Sequence, residues 1–260
     1  MENIVLYCKS YDRDLDRVIE LSNSIKKYNK DNIPFYISVP SKDVSLFKNK
    51  LPHYTQIIED ESVFEHKIPS GWHYQQYIKA FFYKLKISKY YVSLDSDCYF
   101  FKDFYISDFL YKEDIPYMVM TQHGDMLEWT DRYHKECFPF NPRESHESDY
   151  NFIKSIFGRE GKIYHYGPNP FIWNTEVWEW LDKEIGIIKA FADRPNELNW
   201  YGEATLAKGD KFMPCDPLFK CFHYEAQYSF YKQLGWTEEH LKPQYMGVVM
   251  QSNCNLPIKY

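Results

Sequence analysis

An α/β fold with a mainly parallel central sheet flanked by helices is what this sequence predicts. The main observation is alternation: short apolar runs rich in β-branched and aromatic residues take turns with helical patterns through the first hundred residues, which suggests right-handed crossovers between parallel strands. Composition agrees. With 260 residues, 44% hydrophobic, 26% charged and a mean hydropathy of −0.59, the chain has ordinary globular makeup and length for a real core. No linker, internal repeat or low-complexity tract interrupts it, so one continuous domain over 1–260 is expected.

The elements follow in order. Ile4–Cys8 reads as a strand, then a polar loop through Lys9–Asp14, then a helix carrying Leu15, Val18, Ile19, Leu21 and Ile25. Ile33–Val39 is a second strand closed by Pro40, Asp43–Asn49 a short helix, and Gln56–Ile58 a third strand. Ser70 can cap a helix whose apolar side includes Tyr74, Ile78, Phe81, Phe82 and Leu85, and which sets Gln75 and Lys79 on one face at i, i+4 spacing. Tyr90–Leu94 is a strand that ends in Asp95-Ser96-Asp97. Beyond residue 115 the pattern loosens: Tyr117–Met120 is a strand candidate, and the aromatic and polar stretch to Ile163 reads as irregular. Phe171–Trp173, helices over Thr175–Asp182 and about Ile185–Ala192, the segment Asn196–Glu203 and a C-terminal aromatic tract complete the chain.

Several function classes are excluded early. A net charge of −6 without any block of Lys or Arg argues against nucleic acid as a partner. No stretch approaches the ~20 apolar residues that cross a bilayer, so any membrane contact would be peripheral. The N-terminus lacks a secretory leader, and the six scattered cysteines (Cys8, Cys98, Cys137, Cys215, Cys221, Cys254) form no CxxC pair, which suits reduced thiols in a cytoplasmic protein. The P-loop, nucleophile-elbow and His-Glu-x-x-His motifs are all missing.

The chemistry points to Asp95-Ser96-Asp97. Ligands of open parallel sheets bind beyond the carboxyl ends of the strands, and two carboxylates on such a turn can converge on Mg²⁺ or Mn²⁺. An Asp-x-Asp is equally the composition of a solvated turn or a helix cap. Its setting, between an apolar run and Cys98-Tyr99-Phe100-Phe101, would leave two charges poorly hydrated without a cation or donors.

Ser10-Tyr11-Asp12 after the first strand, Gly71-Trp72 with Gln75-Gln76 and Lys79 on one helix, and Leu94-Asp95-Ser96-Asp97 together resemble a GT-A glycosyltransferase. More narrowly, they are similar to a bacterial family of glycosyltransferase-like sequences long described as a domain of unknown function. The match covers roughly residues 4–105, and Asn196, Glu197, Tyr201 and Gly202 add a second anchor in which Leu198 departs from that family's tyrosine.

The resemblance implies transfer of a sugar from a nucleotide-diphosphate sugar to a hydroxyl of a glycan or glycolipid acceptor, in surface polysaccharide synthesis at the inner face of a membrane. Residues 1–105 would form the nucleotide-sugar half and 106–260 the acceptor half. Asp97 would ligate Mn²⁺ or Mg²⁺, Asp95 would reach the donor or the metal, and His223 would complete the metal shell. Ser10, Tyr11, Asp12, Gln75, Gln76, Lys79 and Ser96 would contact the donor. Glu197 is the preferred general base, ahead of Glu203, Asp149 and Asp125, and it would equally suit a helix N-terminus. Trp200, Tyr201 and Glu203 would touch the acceptor. Most of the aromatics (Trp129, Tyr133, Tyr164, Tyr166, Trp173, Trp178, Trp180) are expected in the core. The competing classes are a sugar nucleotidyltransferase, disfavoured by the glycine-free Lys9–Asp12 loop, and a non-catalytic glycan-binding protein.

Overall fold

The computed structural model of the protein describes residues 1–260 apart from Lys67, Pro69, Glu113, His123, Gly124 and 137–140, and apart from the side chains of Asp125, Met126 and Glu136. In chain order its elements are β1 (Glu2–Lys9), α1 (Leu15–Tyr28), β2 (Phe35–Val39), α2 (Val44–Lys50), β3 (Thr55–Glu59), α3 (Asp60–Val63), α4 (Gly71–Phe81), β4 (Ser88–Leu94), β5 (Cys98–Phe100) and β6 (Tyr117–Val119). There follow α5 (Asp125–Tyr133), α6 (Pro142–Ile156), β7 (Phe171–Asn174), α7 (Thr175–Glu184), α8 (Ile187–Asp193), α9 (Glu197–Lys208), β8 (Met213–Cys215), β9 (Phe219–Phe222), α10 (Glu225–Gln233), α11 (Glu238–Leu241) and β10 (Gly247–Met250).

The central sheet has the order β3-β2-β1-β4-β7. Its first four strands are parallel, with Leu6 opposite Phe35 and Val92, while β7 runs antiparallel against β4. The fold class expected from the sequence is therefore the observed one. Because helices cover both faces, β1 is apolar on both: Ile4, Leu6 and Cys8 pack with Val18, Leu21 and Ile25 of α1, whereas Val5 and Tyr7 pack with Tyr77, Ile78 and Phe81 of α4. Ser70 caps α4 by accepting from the His73 N–H at 3.4 Å.

Two regions differ from expectation. The stretch to Ile163 is not irregular throughout, since it holds α5 and α6, the latter opened by Asn141 accepting from the Arg143 N–H at 3.0 Å with Pro142 in the first turn. The C-terminal tract builds a second sheet, β5-β10-β9, beside the acid turn, and β6 pairs with β8. Arg17 of α1 ties that sheet to the core by donating to the carbonyls of Met250 (3.0 Å) and Leu256 (2.6 Å). Cys8, Cys98, Cys215, Cys221 and Cys254 are free thiols, as expected; Cys137 lies outside the described residues. No helix among the described residues is long and apolar enough to cross a membrane.

Candidate active site

A cavity of about 790 Å³ opens at the carboxyl ends of β1 and β4. Lys9 to Asp14 border it from β1, Asp95 to Asp97 from β4, Gln75 and Lys79 from α4, and Glu197 from the first turn of α9. Parallel strands deliver the first two groups side by side, because β1 and β4 are in register with Cys8 opposite Leu94.

The acid turn is locked into both sheets. Asp97 accepts from the Met250 N–H at its carbonyl (2.8 Å) and from the Ser252 N–H at Oδ2 (2.9 Å), while its Oδ1 has no partner. Burial, and then the neighbouring Asp95, push the Asp97 carboxyl up to about 6, against the Ser252 N–H. Ser96 Oγ donates to Asp14 Oδ2 at 2.7 Å.

Lys79 joins the acid turn to α9. Its ammonium lies 2.5 Å from Asp95 Oδ1 and 3.4 Å from Glu197 Oε1, with only 4% of its side chain exposed. Burial alone would favour the neutral amine, but the carboxylates of Asp95 and Glu197 prevail and raise its pKa. Burial likewise pushes Glu197 up, followed by Lys79, which opposes, and Asp95, which adds to it. Gln76 faces inward rather than into the cavity and accepts from the Glu197 N–H at 3.2 Å, while Asn196 caps α9 by accepting from the Asn199 N–H. Gln76 is thus corrected from a donor contact to a clamp on Glu197.

Ser10, Tyr11 and Asp12 border the cavity, and Asp12 donates its N–H to Asp43 Oδ2 at 3.2 Å. Beneath them Lys9 pairs with the fully buried Asp60 at 2.9 Å. His223 also lines the cavity, with Nδ1 3.5 Å from Cys221 Sγ. The structure does not bring Trp200, Tyr201 or Glu203 to it. Trp200 is sealed in the core with Nε1 donating to the Arg194 carbonyl, the Tyr201 hydroxyl accepts from the Asn174 N–H, and Glu203 takes a two-pronged ion pair from Arg159. Their apolar surroundings and satisfied polar atoms leave nothing for an acceptor to touch. Asp149 is engaged by Arg194 at 2.9 Å, and the Asp125 side chain lies outside the described residues. Sequence patterns gave no notice of His146, Tyr150 and His165, all at the cavity. They come from segments that only the fold assembles, and Trp72, whose motif is quoted above, also lies there.

The sequence profile of a family of unknown function, DUF6492, matches residues 3–204. The chain belongs to that family. No curated protein matches the sequence. Among solved structures it is similar to mouse xyloside xylosyltransferase 1 in its apo form, with a TM-score of 0.52 and 10% identity over 98% of this chain and 100% of that one. That likeness shows the fold, an α/β arrangement of the GT-A type.

The site of this DUF6492 chain suits a hard divalent cation. Mg²⁺ and cations like it are usually held by one or two carboxylates together with substrate phosphates, not by an all-protein cage. Among the described residues no three His, Cys, Asp or Glu side chains form such a cage. What is present is a pair of carboxylates at a cavity edge, one of them with a buried oxygen that lacks any donor.

Proposed function

We propose that this protein is a metal-dependent glycosyltransferase that moves a sugar from a nucleotide-diphosphate sugar to an acceptor hydroxyl. The observation that carries this reading is the chain of contacts Asp95–Lys79–Glu197 beside Asp97, set at the strand ends of a GT-A-like sheet and facing a cavity large enough for a nucleotide sugar.

Asp97 and Asp95 would hold Mn²⁺ or Mg²⁺, with His223 the third candidate. A bound cation supplies charge stabilisation for the departing diphosphate. Ser10, Tyr11 and Asp12 bind the nucleoside, and Ser96 and Gln75 line the way to the diphosphate. Lys79 holds Asp95 in place and keeps Glu197 beside the reacting centre, while Gln76 fixes the backbone of Glu197. In an inverting transfer, the acceptor oxygen bonds to the anomeric carbon, the bond to the diphosphate oxygen breaks, and Glu197 takes the hydroxyl proton. A carboxylate whose pKa is raised by burial suits that task. Residues 1–105 make the donor half and 106–260 supply most of the remaining wall. The setting in surface polysaccharide synthesis on the cytoplasmic side of a membrane, with a glycan or glycolipid acceptor, rests on the motif resemblance alone.

The test is release of nucleoside diphosphate from a panel of nucleotide sugars with Mn²⁺ or Mg²⁺. Glu197→Gln should lower turnover by about 10²-fold or more while nucleotide affinity is kept. Unchanged turnover in that variant removes Glu197 as the base, and the absence of release from every donor removes glycosyl transfer.

A further inference from the structure

The cavity is divided by charge. Each Lys and Arg along its lining (Lys9, Arg13, Lys42 and Lys79) comes from the first 79 residues, and Lys79 is already committed to two carboxylates. The wall built by residues 130–171 contributes Thr130, His146, Tyr150, His165 and Asn169 among its polar side chains, and among the described residues no cationic or acidic one. It stands directly against the acid turn: Asn169 Nδ2 donates to the carbonyl of Ser93 at 3.0 Å, two residues before Asp95, and Phe171 pairs with Ser93 across the sheet.

Burial disfavours the charged form of both imidazoles of this wall. It pushes His165 down to about 4, helped by His146 and opposed by the Gly167 backbone, and it lowers His146 against the opposing charge of Asp149. His165 Nδ1 and Asn169 Oδ1 are buried without hydrogen-bond partners, on residues that line this cavity. Neutral imidazole, amide and phenol groups each pair with hydroxyls, whereas a carboxylate placed against them would lose its hydration without gaining a cation.

We propose that the sugar carried by the donor is a neutral one, and that His146, Tyr150, His165 and Asn169 read its hydroxyls. This rests on the glycosyl-transfer reading, since it places the group attached to the diphosphate against the wall next to Asp95. It also sets the specificity in the later half of the chain, apart from the residues that hold the nucleotide.

The experiment is calorimetric titration of the whole protein, in Mn²⁺, with UDP, GDP, dTDP, ADP and CMP, and then with two conjugates of the nucleotide that binds best, one bearing a neutral hexose and one the corresponding uronate. The neutral conjugate should bind about tenfold or more tighter than the uronate. His146→Ala and Asn169→Ala should each weaken the neutral conjugate several-fold and leave nucleotide affinity within about twofold of wild type. Equal or tighter binding of the uronate overturns the proposal, as does a variant that weakens nucleotide and conjugate alike. His146 is partly exposed on α6, so its variant decides if Asn169→Ala fails to fold. Failure of every nucleotide to bind wild type overturns the glycosyl-transfer reading itself, and the sugar assignment with it.

Discussion

The Lys79 ammonium lies 2.5 Å from the Asp95 carboxylate, and this contact ties the helix before the acidic strand to the turn that ends it. It also explains how α9 enters the site, because the same nitrogen reaches Glu197. Removing the cation leaves carboxylates facing each other with little water to separate them. Lys79→Met should cost on the order of 3 kcal/mol in a urea titration at pH 7, most of it from the uncompensated charges. A midpoint equal to wild type would show that the acids do not depend on Lys79.

His165 gives the protein a pH dependence of defined sign. Its folded pKa, about 4, lies below the ordinary 6.5, so on acidification the unfolded chain takes a proton that the folded chain refuses. The contribution is complete above about pH 6.5 and is lost as pH falls toward 4, with a magnitude on the order of 3 kcal/mol. Comparing wild type with His165→Gln isolates it from the buried acids. The gap in stability between the two proteins should be larger at pH 7.5 than at pH 4.5, and a gap independent of pH would refute a neutral buried imidazole.

Gly202 is required by a neighbour, not by its own torsion angles. A Cβ there would sit 2.3 Å from the ring of Tyr166, whose hydroxyl donates to Glu203 at 3.0 Å. Gly202→Ala should therefore cost about 1–3 kcal/mol through displaced aromatic packing. A melting temperature that falls by roughly 2–8 °C would agree, and an unchanged one would contradict the close approach.

Trp200 separates packing from recognition. Its ring is fully buried, so Trp200→Phe should lower stability without selectively raising the KM for an acceptor. A selective rise in that KM, with the melting temperature preserved, would return Trp200 to the site.

The first hundred residues were legible because each parallel strand there is a short apolar run, and each helix carries one apolar face. The acid turn stood out by similar logic, as charged groups at the end of a buried strand, whereas Lys79 and Glu197 were singled out through the motif resemblance. The wall opposite was not. His146 sits on α6, a largely polar helix whose clear signal was Asn141-Pro142, a cap followed by a first-turn proline. His165 lies in the loop before β7, where no spacing marks it. The strands β5, β9 and β10 have three or four residues each, too few for alternation to show. Tyr201 misled for a related reason: a motif shared with a family reports a constraint, and here the constraint is the packing of α9 on α7 and β7 around Trp173 and Trp178.

On the proposed function, Asp97 helps to hold a cation that carries the donor diphosphate. The direct measurement is calorimetric titration of the best-binding nucleoside diphosphate into wild type and Asp97→Asn, each with and without Mn²⁺. Wild type should bind tightly only with the metal. The variant should lose that response while melting at or above the wild-type temperature, because it removes a buried carboxylate strained by its neighbour Asp95. Metal-dependent binding that survives in Asp97→Asn, or wild-type binding indifferent to Mn²⁺, would contradict the account.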